Sequence, residues 1–195
     1  MLEPNAMTGQ AHFDSHVLTR VEAAAALVNA LATTHAGGRA VDGPTDRDEV
    51  RARAEEALGA PVDPEAASGL RELAAQLRDV FVALDDGRED DAAEAVNALL
   101  ARSDARPHLD REPPERWRLH FHGPEAGLVQ GWTAGCAMGL AYVLTSDNAA
   151  RLGTCAAPGC ERVFLDLSRN ASRRFCTTAC QNRVKAAAYR ARHRS

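Results

Sequence analysis

Four of the five cysteines in this 195-residue chain fall within its last 41 residues, as Cys155-x4-Cys160-x15-Cys176-x3-Cys180. Two close cysteine pairs can each supply two thiolates from one turn, and four thiolates complete the tetrahedral shell of a zinc ion. Two disulfides are the alternative. Met1 to His16 carries neither the basic n-region nor the apolar h-region of a secretory signal. That points to a cytoplasmic, reducing compartment, where clustered cysteines hold metal. The expectation is one structural Zn2+ on Cys155, Cys160, Cys176 and Cys180, with no open position for hydrolysis. Cys136 lies upstream in an apolar stretch and reads as an ordinary buried thiol.

Around these cysteines the chain suggests its own geometry. Pro158-Gly159 bends the first knuckle, and Glu161 to Leu167 alternates as an outgoing strand with Val163, Leu165 and Leu167 on one face. Ser168-Arg169-Asn170 turns the chain and Arg173-Arg174-Phe175 returns it. Cys176 and Cys180, four apart, share a face of a helix beginning near Thr177 or Thr178. Knuckle, hairpin and two ligands at a helix start make the order of a treble-clef finger. Laid out at 100° per residue, that helix places Val184, Ala187, Ala188 and Ala191 beside Cys180, as a seam against the knuckle. Arg183, Arg190 and Arg194 form one flank and Lys185 and Arg192 the other, with Asn182, Tyr189 and His193 between.

Charge separates this segment from the rest. Residues 155–195 hold nine arginines and lysines against two acids, a net of +7, while the remainder carries a net of −11. No acid follows Asp166, so ion pairs along the helix cannot account for its bases. A basic module on an acidic body suits a phosphate partner. Attraction between the two halves of the chain, or plain solvation, is the competing explanation.

The first 150 residues read as mostly helical. Hydrophobic residues make up 45% of the chain, aromatics only 5%, and 39 residues are the strong helix former alanine. A leader occupies 1–15. Helices are expected over 21–32, from Thr45 (with Asp48 three residues on) to about Leu58, from Asp63-Pro64-Glu65 to about Leu84, and over 90–101. Residues 102–114 read as loop. Trp117 to His122 alternates as a strand, with Trp117, Leu119 and Phe121 turned to the core and Arg118, His120 and His122 away from it. Its partner is sought near Ala40–Val41 or the N-terminus. From Ala126 to Leu144 no residue is charged, and Gly127, Gly131, Gly135 and Gly139 recur every fourth position. That row suits a buried helix closely approached by another element better than a membrane span. Thr145-Ser146-Asp147 caps a short helix over 148–152. The expected fold is α+β: a mainly helical N-terminal domain (16–150) with a small sheet, then a treble-clef-like zinc finger (151–195).

Other constellations are weaker. His120 and His122 share a strand face but lack an evident third ligand, and His12, Asp14 and His16 lie in the leader. No phosphate-binding glycine loop, nucleophile elbow or HExxH motif occurs, so no enzyme is expected.

Taken together, Cys155-x4-Cys160, Val163-Phe164-Leu165-Asp166, Ser168-Arg169-Asn170, Ser172-Arg173-Arg174-Phe175-Cys176, Cys180-Gln181-Asn182-Arg183 and Ala188-Tyr189-Arg190-Ala191-Arg192 resemble the CGNR zinc-finger family over about forty residues. Gln181 stands where the name-giving glycine would, which suggests ordinary helical backbone there. In that family the finger follows an ABATE-type domain, and Leu27-Val28-Asn29, a helical middle and the Trp117 strand match it more loosely. The resemblance implies a stress-response transcription regulator. Double-stranded DNA is then the expected partner, through Arg169, Arg173, Arg174, Arg183, Lys185, Arg190 and Arg192, with Gln181 and Asn182 reaching base edges. One short finger offers few base contacts, so specificity calls for a homodimer or a second DNA-binding element. The N-terminal domain would sense a small molecule or dimerise, and no membrane is involved. An RNA-binding or protein-interaction module is the alternative.

Overall fold

The computed structural model describes residues 15–112, 116–123, 125–146 and 148–193. Residues 1–14 of the expected leader, with His12 and Asp14, lie outside the described residues, as do Asp147 and Arg194. The order is α1 (Ser15–Leu31), β1 (His35–Ala36), β2 (Arg39–Ala40), α2 (Arg47–Leu58), a 3-10 turn (Pro64–Ala66), α3 (Ala67–Asp85), α4 (Glu89–Arg102), β3 (His108–Glu112), β4 (Arg116–His120) and α5 (Leu128–Leu144). A second 3-10 turn (Ala149–Arg151), β5 (Leu152–Thr154), β6 (Val163–Leu165) and α6 (Thr178–Arg192) complete it. The described strands form three two-stranded antiparallel sheets, β1–β2, β3–β4 and β5–β6. The α+β class holds, with helix dominant.

α3 is the axis of the core. Leu70, Leu73, Leu77, Val80 and Phe81 recur at three- and four-residue steps and are wholly buried. Each such side chain contributes about 1.5–3 kcal/mol of burial. Around it α1 brings Val21, Leu27 and Val28, α5 brings Cys136, Leu140 and Val143, and α2 and α4 add Val50 and Val96. Cys136 is the inert thiol expected of its position: burial pushes its pKa up to about 12.

The glycine row on α5 is a packing surface. A Cβ at Gly139 would lie 3.1 Å from Cγ2 of Val21 and 3.2 Å from Cβ of Arg20, and one at Gly135 would meet the Arg20 side chain at 3.1 Å. α1 therefore approaches α5 as closely as glycine allows. Gly139→Val should lower stability by about 1–3 kcal/mol. Gly127→Ala, which meets nothing within 4 Å, should change it by less than about 0.5 kcal/mol. Urea melts of the two variants check both. Among the described residues no helix is long and apolar enough to cross a membrane.

Several local expectations need correction. α1 begins at Ser15 rather than Val21. α2 is capped by Asp46, not Thr45: the Asp46 carboxylate accepts from the Glu49 N–H at 2.8 Å, and Glu49 reaches back to the Thr45 N–H at 2.9 Å. The box thus closes one residue later, on the stronger acceptor. Thr145 and Ser146 close α5 instead of opening a helix, their hydroxyls donating to the Tyr142 and Val143 carbonyls. Leu152 to Thr154 is strand, because β6 pairs with it.

The largest correction concerns Trp117. The 102–114 loop contains β3, which is the missing partner, registered as His108↔His120, Leu109↔Leu119 and Arg111↔Trp117. Ala40 pairs with His35 instead. The hairpin also faces the other way. Trp117 is 62% exposed, Leu109 61% and Leu119 44%, while His108, His120 and His122 are half-buried. Alternation shows that a strand has two faces; it does not say which one a covering helix will meet. Here the imidazoles fill the inner side, and His122 lies against Gly131 of α5.

Candidate metal centre and its basic helix

Each cysteine is positioned by backbone geometry that follows from its neighbours. In the first knuckle the Cys155 N–H donates to the Arg162 carbonyl at 2.8 Å and the Cys160 N–H to Ala157 at 3.1 Å. Gly159 holds a φ of +67°, and a Cβ there would sit 3.2 Å from Cα of Gly38. Only glycine suits both the backbone angle and the approach. In the second knuckle the Cys176 N–H points at Sγ of Cys155, 3.4 Å away. Thr177 then caps α6 by accepting from the Cys180 N–H at 3.3 Å. Cys176 therefore stands just before the helix and Cys180 in its first turn.

The four sulfurs lie within 4.8 Å of one another. The Cys160–Cys176, Cys176–Cys180 and Cys180–Cys160 separations are each 3.8 Å. A tetrahedral ion with Zn–S bonds of about 2.3 Å requires a sulfur–sulfur edge of about 3.8 Å. No disulfide joins them, and all four are buried. The donor set fits zinc and closes its shell, so the ion's chemistry here is to hold the two knuckles together.

The thiols respond unequally to this packing. Burial pushes Cys155 up, and it pushes Cys176 further, with the neighbouring cysteines adding to the effect. Burial is the largest single influence at Cys160 and opposes ionisation, but backbone hydrogen bonds from Gly37 and Arg162 together with the Cys155 and Cys176 thiols bring it down to about 7. Gly37 belongs to the β1–β2 turn, so the helical body itself supports a zinc ligand.

The expected hairpin return does not form a strand among the described residues. Arg173 performs that task with its side chain: Nε donates to the Phe175 carbonyl at 3.0 Å, a terminal nitrogen to Leu165 at 3.3 Å, and the other to Cys176. The guanidinium lies 4.9 Å over the Phe164 ring. Asp166 receives the Ser168 and Arg173 N–H groups, each at 2.7 Å. Burial pushes this carboxyl up, yet those hydrogen bonds and the nearby Arg151 charge leave its pKa below the ordinary range. A lowered carboxyl stabilises the fold above its unfolded value of about 3.9 and loses that contribution as pH falls through the lower folded value. Asp166→Asn should therefore make the loss of stability below about pH 4 shallower, read from thermal melts across pH.

The other proposed contact residues divide into two groups. Arg183 is half-buried and turned inward, donating to the Pro158 carbonyl at 2.7 Å beside Gly38. Arg173 is committed as described. Arg169, Arg174, Asn182, Lys185, Arg190 and Arg192 are exposed and Gln181 half-buried. Gln181 sits in regular helix, as its replacement of glycine suggested. The alanine seam is a further correction. Of it only Val184 packs on the knuckle, and Ala187, Ala188 and Ala191 are exposed. The finger is too small to cover a fifteen-residue helix, so among the described residues nothing covers its last two turns. Tyr189 there is 57% exposed and stacks on His193 at 4.0 Å.

What sequence reasoning missed is the clasp between finger and body. The side-chain amide of Asn29 on α1 donates to the Val163 carbonyl at 3.0 Å and accepts its N–H at 2.9 Å, completing the open edge of β6. Glu161 accepts from the Thr34 N–H and hydroxyl at 3.0 and 2.8 Å and pairs with Arg78 at 3.7 Å. Asp85 binds the N–H and hydroxyl of Thr154. Leu152, Val163 and Leu165 join the helical core, while Phe164 between them turns to the cysteines. A polar Asn29 inside an alanine and leucine run was the visible signal.

A helical body clasping a four-cysteine finger that carries a basic helix defines a zinc-finger protein. Residues 18–147, two thirds of the chain, match the ABATE family model, described as "Putative stress-induced transcription regulator", and the chain belongs to that family. Residues 151–193 match the CGNR zinc finger. A search of curated proteins finds no match.

Proposed function

We propose that this chain is a cytoplasmic, DNA-binding transcription regulator acting in stress response, in which zinc orders a treble-clef-like finger and α6 lies along duplex phosphates. The observation that carries the reading is the bare cationic end of α6: Lys185, Arg190 and Arg192 are exposed, with no ion pair or side-chain hydrogen bond to a described residue. Arg169 and Arg174 extend the cationic surface, and Asn182 and Gln181 are the groups to read base edges. Arg173 and Arg183 serve the reading by holding the finger in shape. The family assignments are to regulators and fingers, and no catalytic role is proposed.

The N-terminal domain is the sensing or dimerising half. A cleft of about 790 Å³ between α1, β2 and α2 reaches the finger at Arg162, with Asn29, Thr33, Arg53 and Glu56 around it. A ligand there would touch both halves at the clasp. A protein-interaction module is the second reading, favoured by the uncovered Ala187, Ala188 and Ala191.

Fluorescence anisotropy of a labelled mixed-sequence duplex against zinc-loaded protein, between about 50 and 200 mM salt, tests the proposal. About four phosphate contacts give a log–log slope near −3.6 and a loss of roughly 150-fold across that range. Absence of binding at the lowest salt removes DNA as the partner and leaves the protein-interaction reading.

A further inference from the structure

We infer that the β3–β4 hairpin carries a second metal site, independent of the zinc finger, for a divalent first-row transition cation that prefers imidazole. The register brings His108 opposite His120, and His122, two residues past the end of β4, sets its ring beside both. The three rings form a nearly equilateral triangle, with centroids 5.6, 5.6 and 6.0 Å apart. Three imidazoles on one tetrahedral ion, with metal–nitrogen bonds of about 2.0–2.1 Å, place their centroids roughly 5.2 Å apart. The backbone thus already holds the rings close to the spacing such an ion needs.

Three further contacts favour ligation over simple ring packing. Nδ1 of His108 lies 3.3 Å from the Arg106 carbonyl and Nδ1 of His122 lies 3.2 Å from the Gly123 carbonyl. A ring that donates its Nδ1–H to a carbonyl keeps the Nε2 lone pair for a metal, and this outer contact is the usual way a ligating histidine is oriented. Asp110, two residues along β3 from His108, places Oδ2 3.0 Å from His108 Nε2. With Nδ1–H directed at a carbonyl, Nε2 and Oδ2 are two acceptors facing each other, and either a proton or a cation must join them. Three imidazoles and one carboxylate form the mixed nitrogen and oxygen set that suits nickel, zinc or copper(II) over magnesium or calcium.

The site is half-buried and open to solvent on the His108 side, whose side chain is 29% exposed. Among the described residues only the four cysteines already hold their ligand atoms within 4.8 Å, so the rings must turn about their side-chain bonds as the ion enters. Ligation would tie β3, β4 and the segment before α5 together, since His122 rests against Gly131.

The test is calorimetric titration of Ni2+ into the full-length, zinc-loaded chain. One equivalent beyond the finger's zinc should bind, and His108→Gln or His120→Gln should weaken it at least tenfold. His193→Gln, on α6, should leave it unchanged. Because a hairpin variant can lose its shape, the wild type supplies a second reading by NMR. Substoichiometric Ni2+ should broaden the ring signals of His108, His120 and His122 before any others. No second equivalent, one that survives both hairpin substitutions, one removed by His12→Gln with His16→Gln, or first broadening elsewhere would each overturn the assignment.

Discussion

Stripping zinc from the intact chain with a chelator should unfold more than the finger: the melting temperature of the whole protein falls by roughly 8–16 °C, corresponding to a loss of about 4 kcal/mol in a chain of this size. The family boundary between residues 147 and 151 suggests two separable parts. The packing joins them. Leu152, Val163 and Leu165 are buried in the same core as Leu77 and Phe81, and β6 is fastened to α1 by Asn29. The metal fixes Cys155 and Cys160, which lie between β5 and β6, so its loss releases the hairpin that closes the body. Structural zinc sites contribute about 10–16 kcal/mol of apparent binding energy at neutral pH, which becomes folding energy where apo protein cannot hold the site. Cys176→Ser should reproduce the effect and Cys136→Ala should not affect zinc content. The measurement is circular dichroism at 222 nm alongside a zinc-release dye. Coincident transitions are expected; a helical melt unmoved by chelation would show that body and finger fold separately.

That coupling marks where sequence was informative and where it was not. The zinc site was legible because its information is local: four residue types at fixed spacings, a Pro158-Gly159 bend and a Thr177 cap. α3 was legible because burying one face of a helix imposes a period, and Leu70 to Phe81 keep it. Of the β3–β4 hairpin, β4 was legible from its alternation, but β3 and the direction the hairpin faces were not. His108 to Glu112 has one apolar residue in five, so no hydrophobic pattern marks it as strand. Its pairing rests on backbone bonds, and its exposed Leu109, Trp117 and Leu119 reverse the usual rule of apolar inward. The clasp is long-range, joining Asn29 to Val163 and Thr34 to Glu161 across more than a hundred residues, and no local pattern records such pairs. The α6 seam failed for a different reason. Helical phase was right, but phase says which residues share a side, not whether anything is there to cover them.

The free end of α6 supports the second large expectation. Lys185→Glu, Arg190→Glu and Arg192→Glu together should weaken duplex binding by on the order of 100-fold at about 50 mM salt, and reduce the salt slope from near −3.6 to near −0.9 as three phosphate contacts are lost. These side chains have no role within the described fold, so zinc content and melting temperature should stay within about 1 °C of wild type. Arg173→Ala provides the contrast. Its guanidinium joins the Leu165, Phe175 and Cys176 carbonyls and covers Phe164, so its loss leaves acceptors unpaired at a cost of about 1–3 kcal/mol and loosens the zinc. Both variants would reduce DNA binding, but by different routes. The triple variant changes the slope and leaves the fold; Arg173→Ala changes the fold and, once reloaded with excess zinc, recovers most of the slope. Anisotropy across salt, read beside zinc content, separates the two. A triple variant that binds duplex with an unchanged slope would move the DNA surface away from α6, toward Arg169 and Arg174 at the turn after β6.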